Sequence, residues 1–164
     1  MQIKALLFSI LMMGASAAFA ESAQVNFSGT VAAIPCVVDG SDSVSVKLGD
    51  IRASDLDSSI VSTSVPFKIK LKNCPAIATA IATFSGMYDM NVPGYKNTGT
   101  ASNVAVQIAD ADTDKFVSPA LASITKSVSA DRTITYNMLA RAVTNGSPTP
   151  GTIITVLQVD FTYP

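Results

Sequence analysis

Gly151-Thr-Ile-Ile-Thr-Val-Leu-Gln-Val-Asp-Phe-Thr-Tyr-Pro164 is the stretch that decides the fold. From Ile153 the odd positions read Ile153, Thr155, Leu157, Val159, Phe161 and Tyr163, and all but Thr155 are large and apolar. A period of two places those side chains on one face of a β-strand. No turn signal and no further strand follow, so the outer edge of this strand has no partner next to it in sequence. An unpaired apolar edge templates aggregation unless charge or proline blunts it. Only Asp160 and Pro164 interrupt this one. Either a distant part of the chain closes the edge, or another polypeptide does.

A second alternating segment lies near the other end. Before it, residues 1–20 carry one early Lys4, an apolar run through Ala5-Leu-Leu-Phe and Ile10-Leu-Met-Met13, and then Ala18-Phe19-Ala20. A basic start, a hydrophobic middle and an A-x-A site make a secretory signal peptide, cleaved after Ala20. Ser9, Gly14 and Ser16 interrupt the run too often for a membrane span. The segment 21–31 then sets Ala23, Val25, Phe27, Gly29 and Val31 against Ser22, Gln24, Asn26, Ser28 and Thr30. The mature chain is therefore expected to begin and end with strand-like segments.

Removing 20 of the 164 residues leaves 144, enough for one domain with a real core. Lys4 leaves with the signal, so the net charge becomes −2. Without a basic patch to neutralise phosphates, nucleic acid is excluded as a partner, and no later apolar run is long enough for membrane insertion. Cys36 and Cys74 are the two cysteines, an even count in an exported chain, and an intrachain disulfide is the default reading. Closing a loop of about 38 residues is worth about 4 kcal/mol in the chain-entropy view.

Short alternating runs separated by turn signals recur along the chain. Val44, Val46 and Leu48 alternate with Ser43, Ser45 and Lys47 before Gly49-Asp50. Phe67, Ile69 and Leu71 oppose Lys68, Lys70 and Lys72, one oily face and one of lysine. Ala80, Ala82 and Phe84 precede Ser85-Gly86, and Val104, Val106 and Ile108 precede the turn-like Asp110-Ala-Asp-Thr-Asp114. Tyr136, Met138, Ala140 and Ala142 lead to Asn145-Gly146, a strong hairpin signal. Only 54–60 and the stretch around 119–124 suggest a helical turn. About seven short strands and a disulfide predict one all-β domain, an antiparallel immunoglobulin-like β-sandwich.

Catalytic chemistry finds little to work with. There is no histidine for a nucleophile–base pair. Asp110, Asp112 and Asp114 match the start of a calcium loop but lack its glycine and terminal glutamate, so they read as turn aspartates capping their own backbone. No metal site, cofactor or enzymatic activity is expected.

Taken together, these residues resemble a subunit of chaperone–usher pili, closest to the minor tip pilins of type 1 fimbriae. The resemblance rests on Gly29-Thr-Val31 with Pro35-Cys36, Val46-Lys-Leu-Gly-Asp50, Leu71-Lys-Asn-Cys-Pro75, Phe84-Ser-Gly86, the run from Gly94 to Ala101, Gly151-Thr-Ile153 and Phe161-Thr-Tyr163. A glycine fourteenth from the end and a penultimate aromatic are the family's terminal signature, and Gly151 and Tyr163 stand there.

The resemblance implies a pilin domain over 32–164 that lacks its seventh strand and is completed by a donor strand. A periplasmic chaperone would lend that strand first. At the outer-membrane usher, the N-terminal extension of a neighbouring pilus subunit would replace it. By the same analogy Ala23, Val25, Phe27, Gly29 and Val31 form this chain's own donor strand within 21–31. Gly151, Ile153, Leu157, Val159, Phe161 and Tyr163 would line the acceptor groove, with the Pro164 carboxylate held by the chaperone, and Cys36–Cys74 would be the disulfide. The implied location is a cell-surface pilus reached through the periplasm. The short leader between Ala20 and Cys36 favours a tip or adaptor pilin, with a major rod pilin or a chain terminator as alternatives. A reading from a different class, a carbohydrate-binding adhesin module, usually needs an additional lectin domain, for which 144 residues leave no room.

Overall fold

The computed structural model describes residues 35–164 except 41, 42, 77 and 78, together with 24, 26, 28 and 29, and for Leu121 the backbone alone. The chain divides into two units, Met1–Val31 and Ala32–Pro164, and the fold below is that of the second. The expected signal segment 1–20 lies outside the described residues, as do Ala23, Val25, Phe27 and Val31 of the expected donor strand; Gly29 is described and exposed.

Cys36 leads directly into β1 (Val37–Val38), and a short helix, α1 (Ala53–Ser59), buries Leu56. The helix ends where Ile60 turns left-handed at φ 67° and its N–H bonds to the Leu56 carbonyl, one of the carbonyls a helix end leaves over. β2 (Val65–Lys72) follows and pairs antiparallel with β1, and Cys74 just beyond it is disulfide-bonded to Cys36. Then come β3 (Thr79–Gly86), β4 (Tyr95–Lys96), β5 (Ala105–Asp110), β6 (Lys115–Phe116), β7 (Ala120–Ser127), β8 (Ile134–Val143) and β9 (Leu157–Thr162).

Two sheets result. The larger has the order β1-β2-β8-β5-β4, with β6 on the far end of β5; the smaller is β7-β3-β9. Every pairing between them is antiparallel. The period-two pattern turns one side of each sheet inward. Ile69, Leu71, Val106, Ile108, Ile134, Tyr136 and Met138 of the larger sheet form one core with Ala80, Ala82 and Phe84 of the smaller. The Tyr136 hydroxyl crosses between the sheets and donates to the Ala80 carbonyl at 2.9 Å. The result is an immunoglobulin-like sandwich of nearly pure β-structure.

Four sequence readings need correction. Residues 119–124, taken as a helical turn, belong to β7, which pairs along β3 with a bulge near Phe84 and Ser85. Alanine and leucine favour helix weakly, and the alternate half-burial of Ala122 and Ile124 on the core outweighs that preference. Asn145-Gly146 is a turn, with Gly146 at φ +111°, but not a hairpin. The chain leaves β8 there and crosses to the other sheet, because β9 pairs with β3. Val44, Val46 and Leu48 alternate as expected, yet 43–50 forms no assigned strand. Finally, the terminal strand proper starts at Leu157 rather than Ile153.

Candidate functional site

The C-terminal segment is held along one side by two neighbours in succession. From 151 to 155 it is gripped by the loop 96–101. The Thr98 N–H donates to the Ile154 carbonyl at 2.8 Å, and the Ala101 N–H donates to the Thr152 carbonyl at 3.1 Å. Asn97 acts as a clamp: its Oδ1 accepts from the Ile154 and Gly99 amides, and its Nδ2 donates to the Ala101 and Thr152 carbonyls. The two chains cross so closely that glycine is required on both. A Cβ on Gly151 would lie 2.4 Å from the Ala101 nitrogen, and one on Gly99 would lie 2.1 Å from the Thr152 oxygen. Gly151 is therefore a close-approach glycine at the entry to the strand.

From Leu157 onward β3 takes over, with Leu157 opposite Gly86, Val159 opposite Phe84 and Phe161 opposite Ala82. Cross-strand partners share a face, so Leu157, Val159 and Phe161 join Phe84 and Ala82 on the core side. The Phe161 ring sits 5.8 Å from Tyr136, centroid to centroid. Tyr163 continues the row with its hydroxyl 3.5 Å from the Cys36 carbonyl, and burial pushes its phenol above the ordinary tyrosine value. Yet none of Ile153, Leu157, Val159, Phe161 and Tyr163 is fully buried, whereas Ala82 and Phe84 across from them are completely covered. Pro164 is exposed at the end. Among the described residues, nothing pairs with the outer side of β9.

A second unpaired stretch lies on the same core. Leu48 is half-buried and packs on the cluster around Phe84 and Tyr136, and also on the smaller one around Leu56 and Val104; Ile153 contacts both of these clusters as well. Val44, Val46 and Leu48 present one apolar face, with Val44 still 50% exposed. The backbone of 44–50 makes no hydrogen bond among the described residues. Backbone with free amides and carbonyls is a template for another strand. The sequence revealed the alternation here but not the missing partner, since an unpaired strand and a paired one carry the same pattern. Asn97 stands in the Gly94-to-Ala101 run that carries the resemblance, but its clamping role could not be read there, because a loop asparagine has no periodicity to mark its partners.

Elsewhere the site chemistry is structural. Asp110 is buried and accepts from the Asp112 amide and the Thr113 hydroxyl, while Asp112 binds the Lys126 ammonium. Hydrogen bonds from Lys126 and then Asn137 hold the Asp112 carboxyl below the usual carboxylate range. Lys72 and Lys70 flank Asp39, whose pKa is lowered first by the Lys72 hydrogen bond. Among the described residues no cluster of His, Cys, Asp or Glu has the makings of a metal site, and no helix is long and apolar enough to cross a membrane.

Residues 25–163 match the fimbrial protein family. The chain belongs to that family. The S-fimbrial adhesin protein SfaS of Escherichia coli O6:K15:H31 (strain 536 / UPEC) is 32% identical, with 99% of each chain covered. FimG of Escherichia coli strain K12 is 31% identical, with 96% of this chain and 94% of FimG covered. The crystal structure of the P pilus rod subunit PapA superposes with a TM-score of 0.66, covering 80% of this chain and 100% of that one; at 16% identity that likeness concerns the fold. This fimbrial protein is thus a chaperone–usher pilus subunit resembling FimG, with the immunoglobulin-like pilin fold and a disulfide between Cys36 and Cys74. Its family role is structural rather than enzymatic: it assembles with other pilus subunits into a surface fimbria.

Proposed function

We propose that this fimbrial protein polymerises by donor-strand exchange, with the outer side of β9 as acceptor and 21–31 as donor. The observation that carries the proposal is the one-sided pairing of β9, whose core-facing row Leu157, Val159, Phe161 and Tyr163 is only half covered. Strand addition to a free sheet edge supplies ladder hydrogen bonds and buries alternate side chains, and chaperone–pilin complementation is a known instance of it. The unpaired 44–50 segment, seated on the same core through Leu48, offers the facing edge. A strand laid between the two would cover Val46, Leu48 and the β9 row together. In that scheme a periplasmic chaperone supplies the first strand and engages the Pro164 end. At the outer-membrane usher a neighbouring subunit replaces it. Burying donor side chains such as Val25 and Phe27 contributes about 3–6 kcal/mol.

The position in the fibre is a minor tip or adaptor place, favoured by the similarity to FimG along nearly its whole length. SfaS favours a second role. It matches this chain end to end and is named an adhesin, so the lack of room for a lectin domain does not count against adhesion.

Deleting 21–29 separates the two halves of the mechanism. The shortened subunit should still co-purify with its chaperone from the periplasm and still receive a donor strand, but should no longer donate one. A truncated subunit that still adds onto its neighbour's acceptor would refute the donor assignment.

A further inference from the structure

The smaller sheet has two edges, β9 and β7, and among the described residues no strand pairs with the outer side of either. Both lie against β3, and both carry an inward row: Leu157, Val159 and Phe161 on β9, Ala122, Ile124 and Lys126 on β7. Ala122 and Ile124 pack on the core. Lys126 stands opposite Ala80, which is fully buried, so this charged side chain leaves β7 on the core side. It is only 23% exposed, and two carboxylates meet it there. Asp112 binds the ammonium directly, and Asp110, itself buried, lies 4.0 Å away. Asp110 ends β5 and Asp112 lies in the turn that follows, so the cluster ties the β7 edge to the larger sheet. The carboxylates are fixed in turn. Asn137 Nδ2 of β8 donates to Asp112 at 3.2 Å, and the Thr113 hydroxyl donates to Asp110 at 2.9 Å.

An inward charge on an edge strand is one of the ways natural sheets resist pairing with another chain. A strand added along β7 would set an inward side chain beside Lys126 and shut water away from the ion pair. Charges taken out of water lose more solvation than their attraction returns unless new hydrogen bonds replace it, and an apolar donor row brings none. The inward row of β9 has no charge, since Asp160 is exposed on the other face. We propose that Lys126, seated by Asp110 and Asp112, closes the β7 edge to strand addition and leaves β9 as the one edge at which the smaller sheet can grow. Each subunit then receives a single strand, and the chain of subunits does not branch. The proposal deepens the strand-exchange reading and rests on it for what arrives at β9. At β7 the same charge excludes a second copy of this chain as well as a donor.

The test uses the mature chain purified from the periplasm with the strand partner that accompanies it. Lys126→Met removes the charge at nearly the same length, and Lys126→Arg keeps it. In sedimentation velocity over a concentration series, Lys126→Met should self-associate at a concentration about tenfold below any at which wild type does, while Lys126→Arg behaves as wild type. Hydrogen exchange should place new amide protection on 120–127 in the Lys126→Met oligomer. Thermal melting checks the fold, and where Lys126→Met fails it, Lys126→Gln is read on the same terms. A folded neutral variant that stays as dispersed as wild type overturns the proposal. So do oligomers protected elsewhere than 120–127, and so does association of Lys126→Arg equal to that of Lys126→Met. Protection along 157–162 reports strand uptake at β9 separately, so failure of strand exchange and failure of the β7 lock give different exchange maps.

Discussion

β8 and β9 are written in the same code and end in different states. Tyr136, Met138, Ala140 and Ala142 alternate along β8 as Leu157, Val159, Phe161 and Tyr163 alternate along β9. β8 lies between β2 and β5, and its inward residues are buried; β9 has β3 on one side only, and its inward residues are half-covered. Alternation therefore specifies which face is apolar, and neighbours decide how far that face leaves water. Under the proposed strand exchange the difference has a use, since the half-covered face is where another chain's strand would add most.

The largest effect expected from this contrast is at Tyr136. Tyr136→Ala removes a fully buried ring and its bond to Ala80, and should cost about 3–5 kcal/mol. Urea unfolding of the subunit separated from its chaperone, at low concentration, measures it, and a loss under 1 kcal/mol would erase the contrast. Phe161→Ala comes next, at about 2 kcal/mol in that assay, because the ring is only partly covered before a strand arrives. With a donor strand in place its cost should rise toward that of Tyr136→Ala. Equal costs in the two states would mean that no strand covers Phe161.

Two tyrosines sharpen the comparison between satisfied and unsatisfied burial. Both Tyr95 and Tyr136 are fully buried, but the Tyr95 hydroxyl has no hydrogen-bond partner among the described residues. Tyr136→Phe should lose about 1 kcal/mol, and Tyr95→Phe should lose nothing or gain. Burial pushes both phenols up to about 12 from an ordinary value near 10. The folded state thus favours the neutral phenol. This contribution is complete below about pH 10 and is lost as pH rises toward 12. Stability measured across that window should fall less steeply in Tyr95→Phe, and an unchanged slope would show that Tyr95 titrates freely. The smallest effect is at Val156, 80% exposed on the outward side of the terminal segment. Val156→Lys should change stability by less than about 0.5 kcal/mol; a larger loss in the assembled fibre would reveal a contact there.

Much of the molecule was legible because burial repeats with the geometry of a strand. The alternations at 67–71, 80–84, 104–108, 136–142 and 157–163 all became strands with the expected face inward. β7 was missed because Ala120-Leu-Ala122 carries no local preference for a strand and acquires one only from β3 alongside. The Asn145-Gly146 turn was read correctly as a turn and wrongly as a hairpin. A turn's dipeptide sets local dihedral angles, while the sheet it leads to depends on residues far away in sequence.

By itself, the order of apolar and polar residues determined an all-β chain, the inward faces of its strands, the cysteine pair and the exposed apolar end. Those properties follow from side-chain spacing and need no knowledge of neighbours. Only the tertiary structure decided that β9 lies against β3, that Asn97 and two glycines hold its approach, and that the backbone of 44–50 stays unpaired among the described residues. Which edges stay open is settled by long-range pairing, since backbone hydrogen bonds are made by every residue type alike and leave no mark on the sequence.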